Sequence, residues 1–187
     1  MILRIFVLCL YLLVPALVWA GDDDFGAATR IDTEHFTIYY KPGVDINSLI
    51  SQLHVSKADE MLTNQTISTS SPQAQLSSMV EVLFARAGDV LDMHIYSLKA
   101  DIKIFANQQD LTAFYNNLFH TNIPCTGYGF YLDEQKSIYM SAENFRREIL
   151  GHEMGHAIMS RYFVVQPSVR VQEVLAGYIE YQLRKSK

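Results

Sequence analysis

His152-Glu153-Met154-Gly155-His156 is the stretch of this chain whose residue types and spacing could do chemistry. If residues 142–163 form a helix, His152 and His156 stand at i and i+4 on one face, one turn apart, where two imidazoles can hold one metal ion. Glu153 beside them is the carboxylate that can take a proton from a water activated by that metal. A hydrolytic site of this kind needs three protein ligands and one open position, so a third ligand must come from elsewhere. Glu173 is the first choice, because it lies on a helix that follows a short turn and can fold back on the first. Ala176 and Gly177, close to Glu173 on that helix, would let it approach Gly151 and Gly155. His94, His120 and Asp133 are weaker choices, since no placement read from the sequence brings them near. Two imidazoles with one carboxylate suit Zn2+ better than other divalent ions. The competing reading, two ordinary helical histidines, must explain why both share a stripe with Phe145, Ile149 and Met159, where unpaired imidazoles are costly to bury.

The elements that position these residues follow from periodicity and turn chemistry. His35 to Tyr40 alternates in strand fashion and ends at Lys41-Pro42-Gly43. Asp45 can cap a helix with Ile46, Leu49, Ile50 and Leu53 on one face, and residues 63–73 are a polar loop. Ser71-Pro72 opens a long helix whose stripe runs from Leu76 through Met79, Val80 and Leu83 to Leu91. Asp101 to Phe105 predicts a second strand and Gln108 to Leu118 a short helix, followed by a turn around Pro124. Tyr128–Leu132 and Ser137–Met140, joined by Asp133 to Lys136, predict a β-hairpin leading directly into the motif helix. Ser141 is the expected N-cap of that helix, with Glu143 in its first turn. After a break at Pro167, Ser168 can start a last helix reaching about Leu183. No internal repeat or second domain is visible.

"GHEMGH" at 151–156 and "EVLAGY" at 173–178 together resemble a gluzincin, the zincin metallopeptidase class with a thermolysin-like core, and specifically the small secreted members of the peptidase MA-like superfamily. "HFTIYY" at 35–40, "DIKIFAN" at 101–107 and the "YGFYL…SIYMS" hairpin are similar to the strand order of that family. The resemblance implies an α+β fold of minimal zincin-like type: a mixed twisted sheet with an edge hairpin packed on helices, an active-site helix and a short C-terminal helix. It implies His152, His156 and Glu173 as zinc ligands and Glu153 as general base and proton shuttle. It also implies Ser137–Ser141 as the edge strand along which an extended peptide or protein substrate lies. Two departures stand out. The acidic residue that holds a histidine ligand in larger thermolysin-like enzymes, one turn after the glutamate ligand, is replaced here by Gly177. The sequence also stops soon after Glu173, leaving Tyr178 as the expected stabiliser of the developing oxyanion, ahead of Tyr162 and Tyr131.

Bulk properties narrow the setting. The 187 residues are 49% hydrophobic, enough for one packed domain rather than a disordered chain. A net charge of -5 with no basic cluster argues against nucleic acid as the main partner. Residues 1–20 read as a signal peptide: Arg4, an apolar run from Ile5 to Leu17, then Val18-Trp19-Ala20 before the polar Gly21-Asp22-Asp23-Asp24. The expected domain is therefore 21–187, secreted or periplasmic, with membrane anchoring as the alternative if the segment is retained. Beyond that segment Cys125 is the lone cysteine, so no internal disulfide is expected. Against a peptidase stands the alternative of a zinc-retaining binding or assembly module at the membrane surface, which has no need of a carboxylate at Glu153.

Overall fold

A computed structural model describes residues 25–121 and 127–185; residues 1–20, expected to be a signal peptide, and Pro124 and Cys125 lie outside the described residues. The fold is α+β. Five strands form one mixed sheet in the order β1-β2-β3-β5-β4, with β1 at Thr29–Asp32, β2 at Phe36–Tyr40, β3 at Ala100–Phe105, β4 at Gly129–Leu132 and β5 at Ser137–Ser141. β2, β3 and β5 run parallel, while β1 and β4 pair antiparallel at the two edges.

Strand alternation sorts side chains to two faces. Ile38, Ile102, Ile104, Ile138 and Met140 point into the main core with Leu76, Val80 and Leu83 of α3 (Pro72–Leu91) and Leu150, Met154 and Ile158 of the motif helix. Phe105, Tyr139 and Phe130 face the other way, onto Leu111 and Phe114 of α4 (Gln108–Phe119). α1 (Ile46–Leu53) is capped by Asp45, α3 by Ser71 with Pro72 in its first turn, and α4 by Asn107, each through a side-chain oxygen accepting a free helix N–H.

Three departures from expectation have physical reasons. The strand Ser137–Ser141 is not the edge: β5 pairs in parallel with β3 on one side and with β4 on the other, so β4 is the open strand. The motif helix does not begin at residue 142. A 3-10 turn covers Ala142–Asn144, and α5 runs Arg147–Tyr162. Ser141 and Glu143 are engaged elsewhere, with the Ser141 hydroxyl on Gln108 Oε1 at 3.0 Å and the Glu143 carboxylate accepting Gln108 N at 2.8 Å. Glu143 thus serves the N-terminus of α4 rather than that of α5. Two elements escaped the pattern altogether. β1 turns only Ile31 inward, and α2 (Lys57–Thr63) buries Asp59 and Glu60 while exposing Met61 and Leu62, the reverse of an amphipathic rule.

That inverted helix holds the motif helix in place. Asp59 accepts Ser56 N at 2.8 Å and the Ser56 hydroxyl at 2.7 Å, completing a capping box on α2. The same carboxylate meets Arg147, the first residue of α5, at 3.1 Å and Arg86 of α3 at 3.6 Å. Burial works to raise the Asp59 pKa, but the Ser56 donors and the Arg147 charge outweigh it and hold it below the ordinary carboxylate value. A depressed folded pKa means stability that is present above the unfolded value and lost as pH falls through the folded one. Asp59→Asn should therefore cost about 3 kcal/mol at neutral pH by removing the buried charge that faces Arg147. The gap between parent and variant should close below roughly pH 4. Urea unfolding at several pH values measures both; a gap independent of pH would contradict this account of the pair.

Candidate metal centre

α5 and α6 (Val169–Lys185) pack along the Gly151/Gly155 face of α5, as the small residues suggested. A Cβ on Gly155 would stand 2.6 Å from Ile179 Cδ1 and 3.5 Å from Ala176 Cα, so α6 sits where a side chain would otherwise be. Gly177 takes no part in this; nothing lies within 4 Å of its Cβ position.

That approach brings Glu173 to the histidine pair. His152 Nε2 and His156 Nε2 are 3.2 Å apart, and the two Glu173 carboxylate oxygens lie 3.5 Å from one ring nitrogen each. Tetrahedral coordination with bonds of about 2.0–2.1 Å sets ligand edges of roughly 3.3–3.4 Å, and the donor triangle has that size. Its chemistry fits a cation as well. Two ring nitrogens and a carboxylate converge on one point, an arrangement that a shared cation satisfies at all three. Burial lowers the His156 pKa, with His152 adding to the effect, and this favours the neutral ring that a metal requires. Among the described residues Glu34, His35 and Glu81 also cluster. There, though, the Glu81 carboxylate is already taken by His35 N at 2.8 Å, His35 Nδ1 at 2.6 Å and the Thr33 hydroxyl, and it ties the β1–β2 turn to α3.

Behind His156, the Gln172 side chain donates to Pro167 O at 2.9 Å and also bonds the imidazole. Behind His152, Glu180 Oε2 lies 3.5 Å from the buried Nδ1, close but without a hydrogen bond, and Arg184 pairs with the other Glu180 oxygen. Glu180 is thus the carboxylate nearest the position that Gly177 cannot fill, one turn further on. Glu180 follows Glu173 by seven residues, two turns along the same face, which is the signal that could have found it.

Glu153 is buried beneath the open strand. The Gly129 position is why β4 can lie so close: a Cβ there would meet Tyr139 O at 3.0 Å and Glu153 Cγ at 3.5 Å. Burial pushes Glu153 up to about 8, the Glu173 charge pushes the same way, the Tyr131 backbone N–H partly opposes them, and Glu180 adds to the rise. A cation among these carboxylates would relieve that repulsion.

A cleft of about 640 Å³ opens over these groups, with β4 residues Gly129 to Tyr131 on one wall and Gln172 and Glu173 on the other. The tyrosine in the cleft is Tyr131, whose hydroxyl bonds the Ser160 hydroxyl at 3.0 Å and Asp133 at 3.1 Å. Tyr178, expected beside the reacting group, is instead exposed and is not among the cleft-lining residues. Five residues after Glu173 is nearly half a turn out of phase, so the helix that delivers Glu173 inward turns Tyr178 outward. Asp133 reaches the rim of the cleft, whereas His94 lies beside Asp89 and Asp92 and His120 caps the end of α4.

Comparison with known proteins gives no match: no family model, no curated protein and no solved structure is significantly similar to this chain.

The outer partner of His152 gives a direct check. Glu180→Gln should weaken metal binding by about 10- to 100-fold with little change in the unfolding midpoint of the metal-free protein. Competition with a chromophoric chelator reads the affinity; unchanged affinity would remove Glu180 from the site.

Proposed function

We propose that the chain is a zinc-dependent peptidase of gluzincin type, acting on peptide or protein substrates in the secreted or periplasmic space that the leader-like residues 1–20 imply. The observation that supports it most is the convergence of His152, His156 and Glu173 within one coordination radius of each other, with the Glu153 carboxylate in the same cleft. A site built only to hold a metal has no use for a buried carboxylate beside the ligands.

His152 and His156 on α5 and Glu173 on α6 would hold the zinc, with the Gln172 amide bonded to His156 and the Glu180 carboxylate 3.5 Å behind His152, where it would orient the ring once it donates from Nδ1. When bound, zinc supplies Lewis-acid polarisation of the scissile carbonyl and of the attacking water. Glu153 accepts the proton of that water at its carboxylate and returns it to the departing amine nitrogen. The Tyr131 N–H steadies the ionised form of Glu153 and fixes where it points. β4, with its outer edge unpaired in the sheet, offers main-chain donors and acceptors to an extended substrate, which adds as a further strand. Binding along β4 rather than β5 puts the substrate backbone next to Gly129, directly over Glu153.

Replacement of the base and of a ligand separates the two halves of this reading. Glu153→Gln should keep stoichiometric zinc and lose peptide hydrolysis by at least about a hundredfold. Glu173→Ala and His156→Ala should lose zinc and hydrolysis together. Metal analysis with a peptide-library cleavage assay reads all three. A parent protein that binds no zinc would remove the site, and zinc with no cleavage of any peptide would leave the binding-module alternative in its place.

A further inference from the structure

α6 carries two surfaces. Ala176, Ile179 and Leu183 are buried against α5, while Val171, Val174, Tyr178 and Tyr181 form a second stripe, exposed on the far side at the spacing i, i+3, i+7, i+10. This spacing is a continuous seam down one helix face rather than a scatter of surface residues. The turn before α6 adds Val164 and Val165, 102% and 83% exposed. It is a held turn, since the Gln166 side chain donates to Ser160 O at 3.2 Å and Phe163 O at 2.9 Å, and it keeps both valines pointing outward.

Charge says what covers the stripe. Arg170 flanks it on one side and Lys185 continues it by one turn, both exposed, while Arg184 is ion-paired with Glu180 and Glu173 is turned toward the histidine pair. An anionic bilayer matches this arrangement: the two cations meet lipid phosphates, tyrosines sit at headgroup depth, and valines enter the acyl boundary. We propose that the outer face of α6 and the Val164-Val165 turn form a docking surface for anionic lipid membranes. Among the described residues no helix is long and apolar enough to cross a membrane, and this surface requires none, because the helix lies in the interface plane. The inference does not depend on zinc or on hydrolysis.

The test uses residues 21–187, which contain the whole of both described core clusters and omit the leader-like segment that would bind lipid by itself. Sedimentation is measured with phosphatidylcholine vesicles containing about 30% phosphatidylglycerol and with phosphatidylcholine alone. The parent should partition onto the anionic vesicles at least about tenfold more strongly, and this preference should fall as salt rises. Val164→Asp with Val174→Asp should abolish binding, and Arg170→Gln with Lys185→Gln should reduce it, with zinc content and unfolding midpoint unchanged in both. The proposal is overturned if the parent ignores anionic vesicles, if the aspartate variant binds as the parent does, or if the parent is a stable dimer that the aspartate variant converts to monomer. Loss of zinc in the parent would count against the metal site and leave the docking result standing.

Discussion

The close approach of α6 to α5 is the constraint on which this molecule turns. A helix pair with ordinary side chains at 151 and 155 would stand farther apart, and Glu173 would not reach the two imidazoles. With glycine at both positions Ile179, Leu183 and Ala176 fill the space, and hydrophobic packing sets a ligand distance. The stability of the core and the geometry of the site are in this respect one property. The same seating brings Glu180 to within 3.5 Å of His152 and Gln172 onto His156, so one helix carries the third carboxylate and both of these neighbours to the histidine pair.

Against this, the start of α5 is fixed by charge. Asp59 holds Arg147 at the first residue of the motif helix and at the same time caps α2 and meets Arg86 on α3. A buried ion pair of this type adds little net stability over an apolar contact, but it penalises every arrangement that separates its members. Three helices are thereby held in register beneath the sheet. The open strand β4 completes the frame from the other side, because the bare Gly129 lets it rest on Glu153. A Cβ at that position would crowd Tyr139 O and Met140 Cγ at 3.0 Å, so glycine is what keeps β4 this close to β5 above Glu153.

α6 thus has three separable faces: one packs on α5, one points Glu173 into the cleft, and one shows valine and tyrosine to the surroundings. Hydrolysis and membrane docking, if both are present, would be carried by different residues of the same seventeen-residue helix.

The helices and strands that repeat a simple pattern were legible from sequence: α3 from its long apolar stripe, α1 and α3 from Asp45 and Ser71 as caps, the hairpin from its alternation. So were His152, His156 and Glu173 as a group, since i, i+4 spacing and a helix return are local facts. α2 was not, because its buried side chains are acids, and one of them, Asp59, pairs with arginines 27 and 88 residues away. The start of α5 was misplaced for a related reason: Ser141 and Glu143 have the composition of a cap, but Gln108 of α4 is nearer to them than any free N–H of α5. Which hairpin strand lies at the edge is decided by what pairs with β3, and whether Tyr178 or Tyr131 faces the cleft is decided by helix phase and sheet position together. Sequence alone determined the donor types and their spacing along each helix; the tertiary fold decided which side of each helix meets another, because that depends on residues far apart in the chain competing for the same space.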